Sequence, residues 1–130
     1  MGAKRHSRIL IIEDNALNLK YFRDALAYHG FATLEDSSGT GAVSLAKSHP
    51  QAILLNLQLP EVSGLDLVKT LKSDPETAHI PIIATSAIDL GEVEHAARSA
   101  GCTHFMVKPF GIQTLVETVQ ECLQQSVKAS

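Results

Sequence analysis

Charged and polar side chains follow several short apolar runs of this chain, and their types suit the binding of ions. Glu13 and Asp14 follow the run Arg8 to Ile12, and Asn56 follows the run Ala52 to Leu55. Adjacent carboxylates repel one another unless a cation joins them, and Mg²⁺ binds through a few such oxygens. Simpler interpretations exist, because an acidic pair also favours the first turn of a helix and Asn often caps a turn.

Two further polar groups end apolar runs later in the chain. Ser86 lies at the end of the run that begins at Ile80, and Lys108 lies between Val107 and Pro109. A lone serine at a strand end is an ordinary hydroxyl, whereas a lysine that leaves a buried strand is hard to place without an anionic partner. The peptide bond before Pro109 can be cis, which would fix the direction of the lysine.

The apolar runs alternate with segments of helical periodicity. Short apolar runs predict buried strands, and apolar spacings of three and four residues predict amphipathic helices. The predicted strands cover residues 8–12, 31–34, 52–55, 80–84 and 105–107. The first predicted helix buries Leu19, Phe22, Leu26 and His29, the second ends by Pro50, and the fourth has an inner face made mostly of alanine.

Five strand–helix units with short connections predict one α/β domain. This alternation is typical of a parallel sheet with helices on both faces, and right-handed crossovers favour a doubly wound, flavodoxin-like sheet of five strands in the order 2-1-3-4-5. Strands 1 and 3 are then neighbours, and the polar groups above meet at the edge where open sheets bind ligands. We assign residues 1–7 to a flexible N-terminus, 8–125 to the domain and 126–130 to a C-terminal tail.

Composition argues against several classes of protein. The chain has 130 residues, 45% of them hydrophobic, and a net charge of -3. A weakly acidic chain is not expected to bind nucleic acid or a membrane surface, since either needs a clustered basic face. The N-terminal residues contain no signal peptide or spanning helix, so we expect a cytoplasmic protein. Cys102 and Cys122 form no CxxC pair, which predicts neither a disulfide framework nor a zinc site.

Four stretches resemble the response regulator receiver domain, the CheY-like family, and they fall in order with suitable spacing. They are ILIIEDN at 9–15, ILLNLQLPEVSG at 53–64, IIATSA at 82–87 and FMVKPF at 105–110. The stretches EDNALNLK and LPEVSGLDL, with HIP before the fourth strand, look most like the single-domain DivK type. The resemblance implies a phosphorelay module, not an enzyme, that contacts a sensor histidine kinase or phosphotransfer protein and a downstream effector or adaptor.

The resemblance also implies a metal site. Glu13 and Asp14 would hold Mg²⁺, with Asp14 as a direct ligand. Position 56, occupied by Asn56, and the backbone carbonyl of Gln58 would be further ligands. This ligand set would make Mg²⁺ the cofactor of the domain.

Three more positions would act on a phosphoryl group or report its presence. Ser86 would hydrogen-bond a phosphoryl oxygen, and Lys108 would pair with the phosphoryl group. Phe105 would be the aromatic ring that turns inward on activation. The simpler interpretation is that Phe105 is a core aromatic, as a phenylalanine on a strand commonly is.

The chain departs from the family at the central residue. Family members carry an Asp phosphoacceptor where this chain has Asn56. An amide oxygen carries no full charge, so it cannot attack a phosphoryl group as a carboxylate does. Glu13, Asp14 and Lys108 leave the pocket at -1, against -2 with an Asp, which predicts weaker Mg²⁺ binding. Asn56 marks either a substitution that gives a non-phosphorylatable form or a naturally degenerate pseudo-receiver, and the intact matching positions favour the substitution.

Two other functions fit parts of the sequence less well. A phosphatase with an aspartate nucleophile needs a carboxylate at position 56 and usually a second one where Gln58 stands. The stretch Gly39-Thr40-Gly41 begins a GxGxxG pattern, but its third position is Ser44 and no GK[ST] follows. We interpret this stretch as a glycine-rich start of a helix.

Overall fold

The computed structural model describes residues 7–129, with side chains as far as Gln124, and within them five strands alternate with five helices. The strands are β1 (Arg8–Ile12), β2 (Ala32–Asp36), β3 (Ala52–Asn56), β4 (Ile82–Ser86) and β5 (His104–Val107). The helices are α1 (Ala16–Tyr28), α2 (Ala42–Ala46), α3 (Gly64–Ser73), α4 (Gly91–Ala100) and α5 (Ile112–Ala129). The predicted N-terminal segment lies outside the described residues except for Ser7, and the boundary at residue 125 stays a prediction.

All five strands are parallel, and they form one sheet in the order β2-β1-β3-β4-β5. The predicted doubly wound, flavodoxin-like fold is confirmed. Ile12 at the end of β1 lies opposite Leu55, and Asn56 at the end of β3 lies opposite Thr85. These strands therefore end in register, and the polar residues that follow them lie at one edge of the sheet.

The sheet is covered on both faces, because successive side chains of its strands alternate between two hydrophobic clusters. Leu10 and Ile53 pack in the cluster that α2, α3 and α4 complete. Ile9 and Leu54 pack in the cluster that α1 and α5 complete. Apolar burial contributes about 25 cal/mol per Å², so the fully buried β3 is held firmly in the centre of the sheet.

The two cysteines lie on opposite faces of this sheet. Cys102 belongs to the cluster under α2, α3 and α4, and Cys122 belongs to the cluster under α1 and α5. Both thiols are free, and burial raises the pKa of each to about 11. At neutral pH both stay protonated and pack as small apolar groups.

The prediction that His29 lies on the buried face of α1 is wrong. The helix ends at Tyr28, and His29 is exposed at its C-cap, with the ring Nδ1 3.0 Å from the carbonyl oxygen of Ala25. Ala25 is itself buried beside Phe22 and Leu26. The imidazole thus satisfies a helix-end carbonyl instead of filling the core.

The observed strands differ from the predicted ones by one or two residues at several ends, and local reasons explain two of the differences. β4 begins at Ile82, because Pro81 has no N–H to give to the ladder, although its carbonyl oxygen accepts from the Ile53 N–H at 3.0 Å. Helix α2 ends at Ala46, before Pro50, and His49 has a left-handed φ of 63°. No helix within residues 7–129 has the length and apolar character needed to cross a membrane.

Candidate functional site

The carboxyl edge of the sheet brings the predicted site residues together. Glu13 follows β1 directly, Asn56 ends β3, Ser86 ends β4 and Lys108 follows β5. Glu13, Asn56 and Ser86 are buried, and the Lys108 side chain is mostly covered. Asp14 lies beside Glu13 but is exposed. The convergence that was expected from the strand order is present in the structure.

The side-chain amide of Asn56 is at the centre of this site. Its Nδ2 lies 3.2 Å from Oε2 of Glu13, 3.0 Å from Oδ1 of Asp14 and 3.0 Å from the carbonyl oxygen of Gln58. Its Oδ1 accepts a hydrogen bond from the Gln58 backbone N–H at 3.1 Å. The Gln58 N–H needs an acceptor, so the oxygen of the Asn56 amide faces the backbone nitrogen of Gln58. The nitrogen of the amide then faces the carboxylates.

Three oxygens thus converge on one point, and the Asn56 nitrogen lies at that point. An amide nitrogen carries two hydrogens, so it serves three acceptors at the cost of ideal geometry. An all-oxygen set suits a hard cation such as Mg²⁺, and three of the four predicted ligand residues, Glu13, Asp14 and Gln58, supply these oxygens. The fourth, Asn56, presents its nitrogen there instead, because its oxygen accepts from the Gln58 N–H. No cluster of three His, Cys, Asp or Glu side chains that could hold a metal occurs among the described residues. A metal here would therefore depend on the acid pair, the carbonyl and position 56.

Glu13 is the best-satisfied carboxylate of the site. Its Oε1 lies 2.9 Å from Nζ of Lys108, and its Oε2 accepts from the Asn15 backbone N–H at 3.1 Å. The Lys108–Pro109 peptide bond is cis. A buried charge is tolerated only when it is paired and hydrogen-bonded, and Glu13 meets both conditions. Lys108 has the anionic partner that its position before Pro109 predicts.

The side chain of Gln58 connects the β3–α3 loop to the end of β4. Its Nε2 donates to Oγ of Ser86 at 3.0 Å, and its Oε1 accepts from the Ala87 backbone N–H at 3.0 Å. Oγ of Ser86 also accepts from the Ile88 N–H at 2.9 Å. Sequence reasoning assigned a role only to the backbone carbonyl of Gln58. A second carboxamide two residues after Asn56 was the only available signal for this bridge.

Phe105 is partly buried and packs against the hydrophobic cluster under α2, α3 and α4. It lies opposite Ala84 in the sheet. Thr85, next to Ser86, is buried, and among the described residues its Oγ1 has no hydrogen-bond partner. The inner position of Phe105 agrees with its interpretation as a core aromatic, and its switch role stays a prediction.

The glycine-rich stretch before α2 packs against and hydrogen-bonds to other residues of the chain. Gly39 has a φ of 88° and packs against Leu59 and Val62, and the Gly41 N–H donates to Oδ2 of Asp36 at 3.0 Å. A phosphate-binding loop needs such N–H groups to point at the ligand. Here Asp36 uses one of them, which supports the interpretation as a helix start.

Gly64 permits the close approach that shapes the β3–α3 loop. A Cβ at Gly64 would lie 2.5 Å from the Cα of Leu57 and 2.6 Å from its carbonyl oxygen. Gly64→Ala is therefore expected to lower the free energy of unfolding by about 1–3 kcal/mol, because backbone atoms would have to move apart. Urea denaturation measures this loss. Gly91→Ala is the control, because no atom lies within 4 Å of its added Cβ, and an equal loss in both variants would contradict the close-approach explanation.

Comparison with known proteins agrees with the fold and gives the family. The response regulator receiver domain family matches residues 9–120. The polar-differentiation response regulator DivK of Brucella ovis is 42% identical over 116 residues, which cover 88% of this chain and 94% of DivK. DivK of Brucella anthropi is 41% identical over the same length.

Two solved structures share the fold. A CheY-like receiver domain protein from Methanospirillum hungatei has a TM-score of 0.89 at 19% identity, and the match covers 96% of this chain and 99% of that chain. The receiver domain of sensor histidine kinase PA1611 from Pseudomonas aeruginosa, whose structure has a magnesium ion coordinated in the active site cleft, has a TM-score of 0.84 at 26% identity. That match covers 92% of this chain and 98% of that chain. The family match spans most of the sequence, and this chain belongs to the response regulator receiver domain family of two-component signalling systems.

Proposed function

We propose that this chain is a phosphorelay receiver of the DivK type that cannot take up a phosphoryl group at position 56. The observation that carries the proposal is the Asn56 amide, whose Nδ2 donates toward Glu13, Asp14 and the Gln58 carbonyl. An Asp there would present an oxygen to the phosphorus of a phosphodonor and to a metal, whereas the amide presents hydrogens. Signalling then depends on which protein contacts this resting arrangement permits.

The proposed metal is Mg²⁺, as in the cleft of the Pseudomonas aeruginosa receiver domain. Glu13, Asp14 and the Gln58 carbonyl would hold it, and it would neutralise charge beside a phosphoryl group. The Asn56 nitrogen must leave the shared point before any cation enters. Mg²⁺ is therefore expected to bind this chain more weakly than a form with Asp at position 56.

Ser86 and Lys108 are proposed to act on an anion. The hydroxyl of Ser86 and the ammonium of Lys108 come from adjacent strands, and the Lys108 N–H donates to the Ser86 carbonyl at 2.8 Å. Hydrogen-bond donors and a cation at one edge favour a phosphoryl group. In the described structure Lys108 pairs with Glu13 and Ser86 is bonded to Gln58, so both groups would have to exchange partners.

The proposed partners are a sensor histidine kinase or phosphotransfer protein and a downstream effector or adaptor. Neither nucleic acid nor a membrane is proposed as a partner, because the net charge is -3. We place the protein in the cytoplasm. The second candidate, a naturally degenerate pseudo-receiver, is favoured by the same amide network, because the Asn56 nitrogen already lies where a cation would bind.

Beryllofluoride distinguishes these functions, because it imitates a phosphoryl group on a carboxylate. With beryllofluoride and Mg²⁺, Asn56→Asp is expected to show shifted ¹H–¹⁵N resonances at Ser86, Ala87 and Phe105, and the unmodified chain is expected to show none. A local charge changes a distant surface only by favouring one of two conformations of some element. We propose that this element is Ser86 together with Phe105.

The control for this experiment is Asn56→Asp with Phe105→Ala. If Phe105 carries the change, this variant keeps the shifts at Ser86 and loses those on β5. Shifts in the unmodified chain would contradict the proposed function. Absence of shifts in Asn56→Asp would favour the pseudo-receiver, and an unaffected Phe105 resonance would exclude its switch role.

A further inference from the structure

An open groove lies beside the site, between the β3–α3 loop and α4. Its volume is about 370 Å³. Its apolar wall comes from Leu57 and Leu65 on one side and Val93 and Ala96 on the other. Glu92 is also part of the lining. The space is large enough for one or two aliphatic side chains and has an acid at its rim.

The two segments that frame the groove are acidic. Residues 57–66 and 87–96 contain Glu61, Asp66, Asp89, Glu92 and Glu94 and no lysine or arginine. Among the described residues, only Glu94 of these five has an ion-pair partner, Arg98 at 2.9 Å. The whole chain has a net charge of only -3, so the acidic charge is concentrated here. Such a concentration attracts a cationic partner and speeds its association.

The loop that leads into α4 exposes further apolar surface close in sequence to the groove residues Glu92 and Val93. Ile88 is 40% exposed and Leu90 is 54% exposed on the loop that leads into α4. Helix α4 has ten residues, of which Ala97 alone is buried, and its N-cap Leu90 makes no side-chain capping bond. The mostly alanine inner face that the sequence predicts is present. A helix that buries so little apolar area adjusts to a bound segment at small cost.

Gln58 joins the groove to the edge of the sheet. It lines the groove, and its carboxamide holds Oγ of Ser86 and the Ala87 N–H. A segment that enters the groove would contact Gln58 and disturb these two hydrogen bonds. Binding in the groove and the state of Ser86 would then be thermodynamically coupled, and the coupling would be reciprocal.

We propose that this groove docks a basic segment of a partner protein, in which one or two aliphatic side chains are flanked by lysine or arginine. The aliphatic groups would fill the space between Leu57 and Val93, and the basic groups would meet Glu92 and the neighbouring acids. The proposal goes beyond the receiver function, because neither Mg²⁺ nor a phosphoryl group takes part in this contact.

The probe is an acetylated octapeptide with two leucines four positions apart and lysine at the other positions. It is titrated into the ¹⁵N-labelled chain without Mg²⁺ or any phosphodonor. We expect the resonances of Leu57, Val93 and Ala96 to move, together with that of the Ala87 amide. Peptides with serine for leucine, or glutamate for lysine, are expected not to bind.

Matched variants separate docking from general charge attraction. Glu92→Lys is expected to weaken binding by roughly three- to tenfold, whereas Glu117→Lys on α5 makes the same charge change elsewhere and should have no effect. Ala96→Leu fills the groove and should abolish binding, whereas Ser99→Leu on the same helix should not.

Three results would overturn the proposal. The first is equal weakening by Glu92→Lys and Glu117→Lys, which would mean that only net charge matters. The second is unchanged binding to Ala96→Leu. The third is movement of the groove resonances with protein concentration in the absence of peptide, since the occupant would then be a second copy of the chain. If the Ala87 resonance does not move on peptide binding, the groove is not coupled to Ser86 through Gln58.

Discussion

Incubation with acetyl phosphate and Mg²⁺ is expected to leave the mass of this chain unchanged, whereas Asn56→Asp is expected to gain one phosphoryl group. The reason is the nucleophile. A carboxylate oxygen has the charge and lone pair needed to attack phosphorus, and the amide of Asn56 has neither full charge nor a basic nitrogen. The remaining groups, Glu13, Asp14, Ser86 and Lys108, are already at the same edge of the sheet. Intact-mass spectrometry measures the difference.

Asn15→Asp is the matched control for this labelling. It makes the same chemical change next to the site, at an exposed position whose side chain caps α1 by accepting from the Asn18 N–H at 2.9 Å. Aspartate caps a helix as well as asparagine, so the fold should be kept. Asn15→Asp should stay unlabelled. A phosphoryl group on Asn56 in the unmodified chain, or none on Asn56→Asp, would contradict the proposed function.

The same Asn56→Asp change is expected to lower the free energy of unfolding by about 2–4 kcal/mol in the presence of EDTA. Asn56 is only 4% exposed. Its Nδ2 lies within 3.0–3.2 Å of three oxygens. An aspartate oxygen in that position would replace a donor with a third negative charge among acceptors. Chemical denaturation with and without EDTA measures the loss.

Mg²⁺ should reverse most of this loss in Asn56→Asp. A ligand that binds only the folded state adds about 2.7 kcal/mol at one hundred times its dissociation constant. Adding Asp14→Asn to Asn56→Asp should remove the Mg²⁺ effect, whereas adding Glu121→Gln, a distant and exposed acid, should not. Equal responses in the two double variants would mean that the acidic pair does not bind Mg²⁺.

The sequence was sufficient for the order of the sheet and for the edge that carries the site. The alternation of strands and helices with right-handed crossovers makes the apolar runs before Glu13 and Asn56 neighbouring buried strands. Lys108 before Pro109 predicted an anionic partner, and Glu13 is that partner. These inferences depend on backbone topology, which hydrophobic periodicity largely determines.

Side-chain direction was not predictable in the same way. Nothing in the chain order shows that the Asn56 nitrogen faces the carboxylates, since this depends on the Gln58 N–H two residues later. The Gln58 bridge to Ser86 joins the β3–α3 loop to the end of β4, 28 residues later in the sequence. His29 fits the apolar spacing of α1, but it follows the last helical residue, and its ring lies against the Ala25 carbonyl oxygen and outside the core.

The ion pair between Glu13 and Lys108 joins residues 95 positions apart in the sequence. A ribosome adds about 5–20 residues per second, so about 5–20 seconds separate the synthesis of the two partners. During that time β1 can already pair with β2 and β3, while its terminal carboxylate has no cation to meet. We expect the nascent chain to keep this end of β1 hydrated until β5 emerges, so the last strand completes both the sheet and the charge balance of the site.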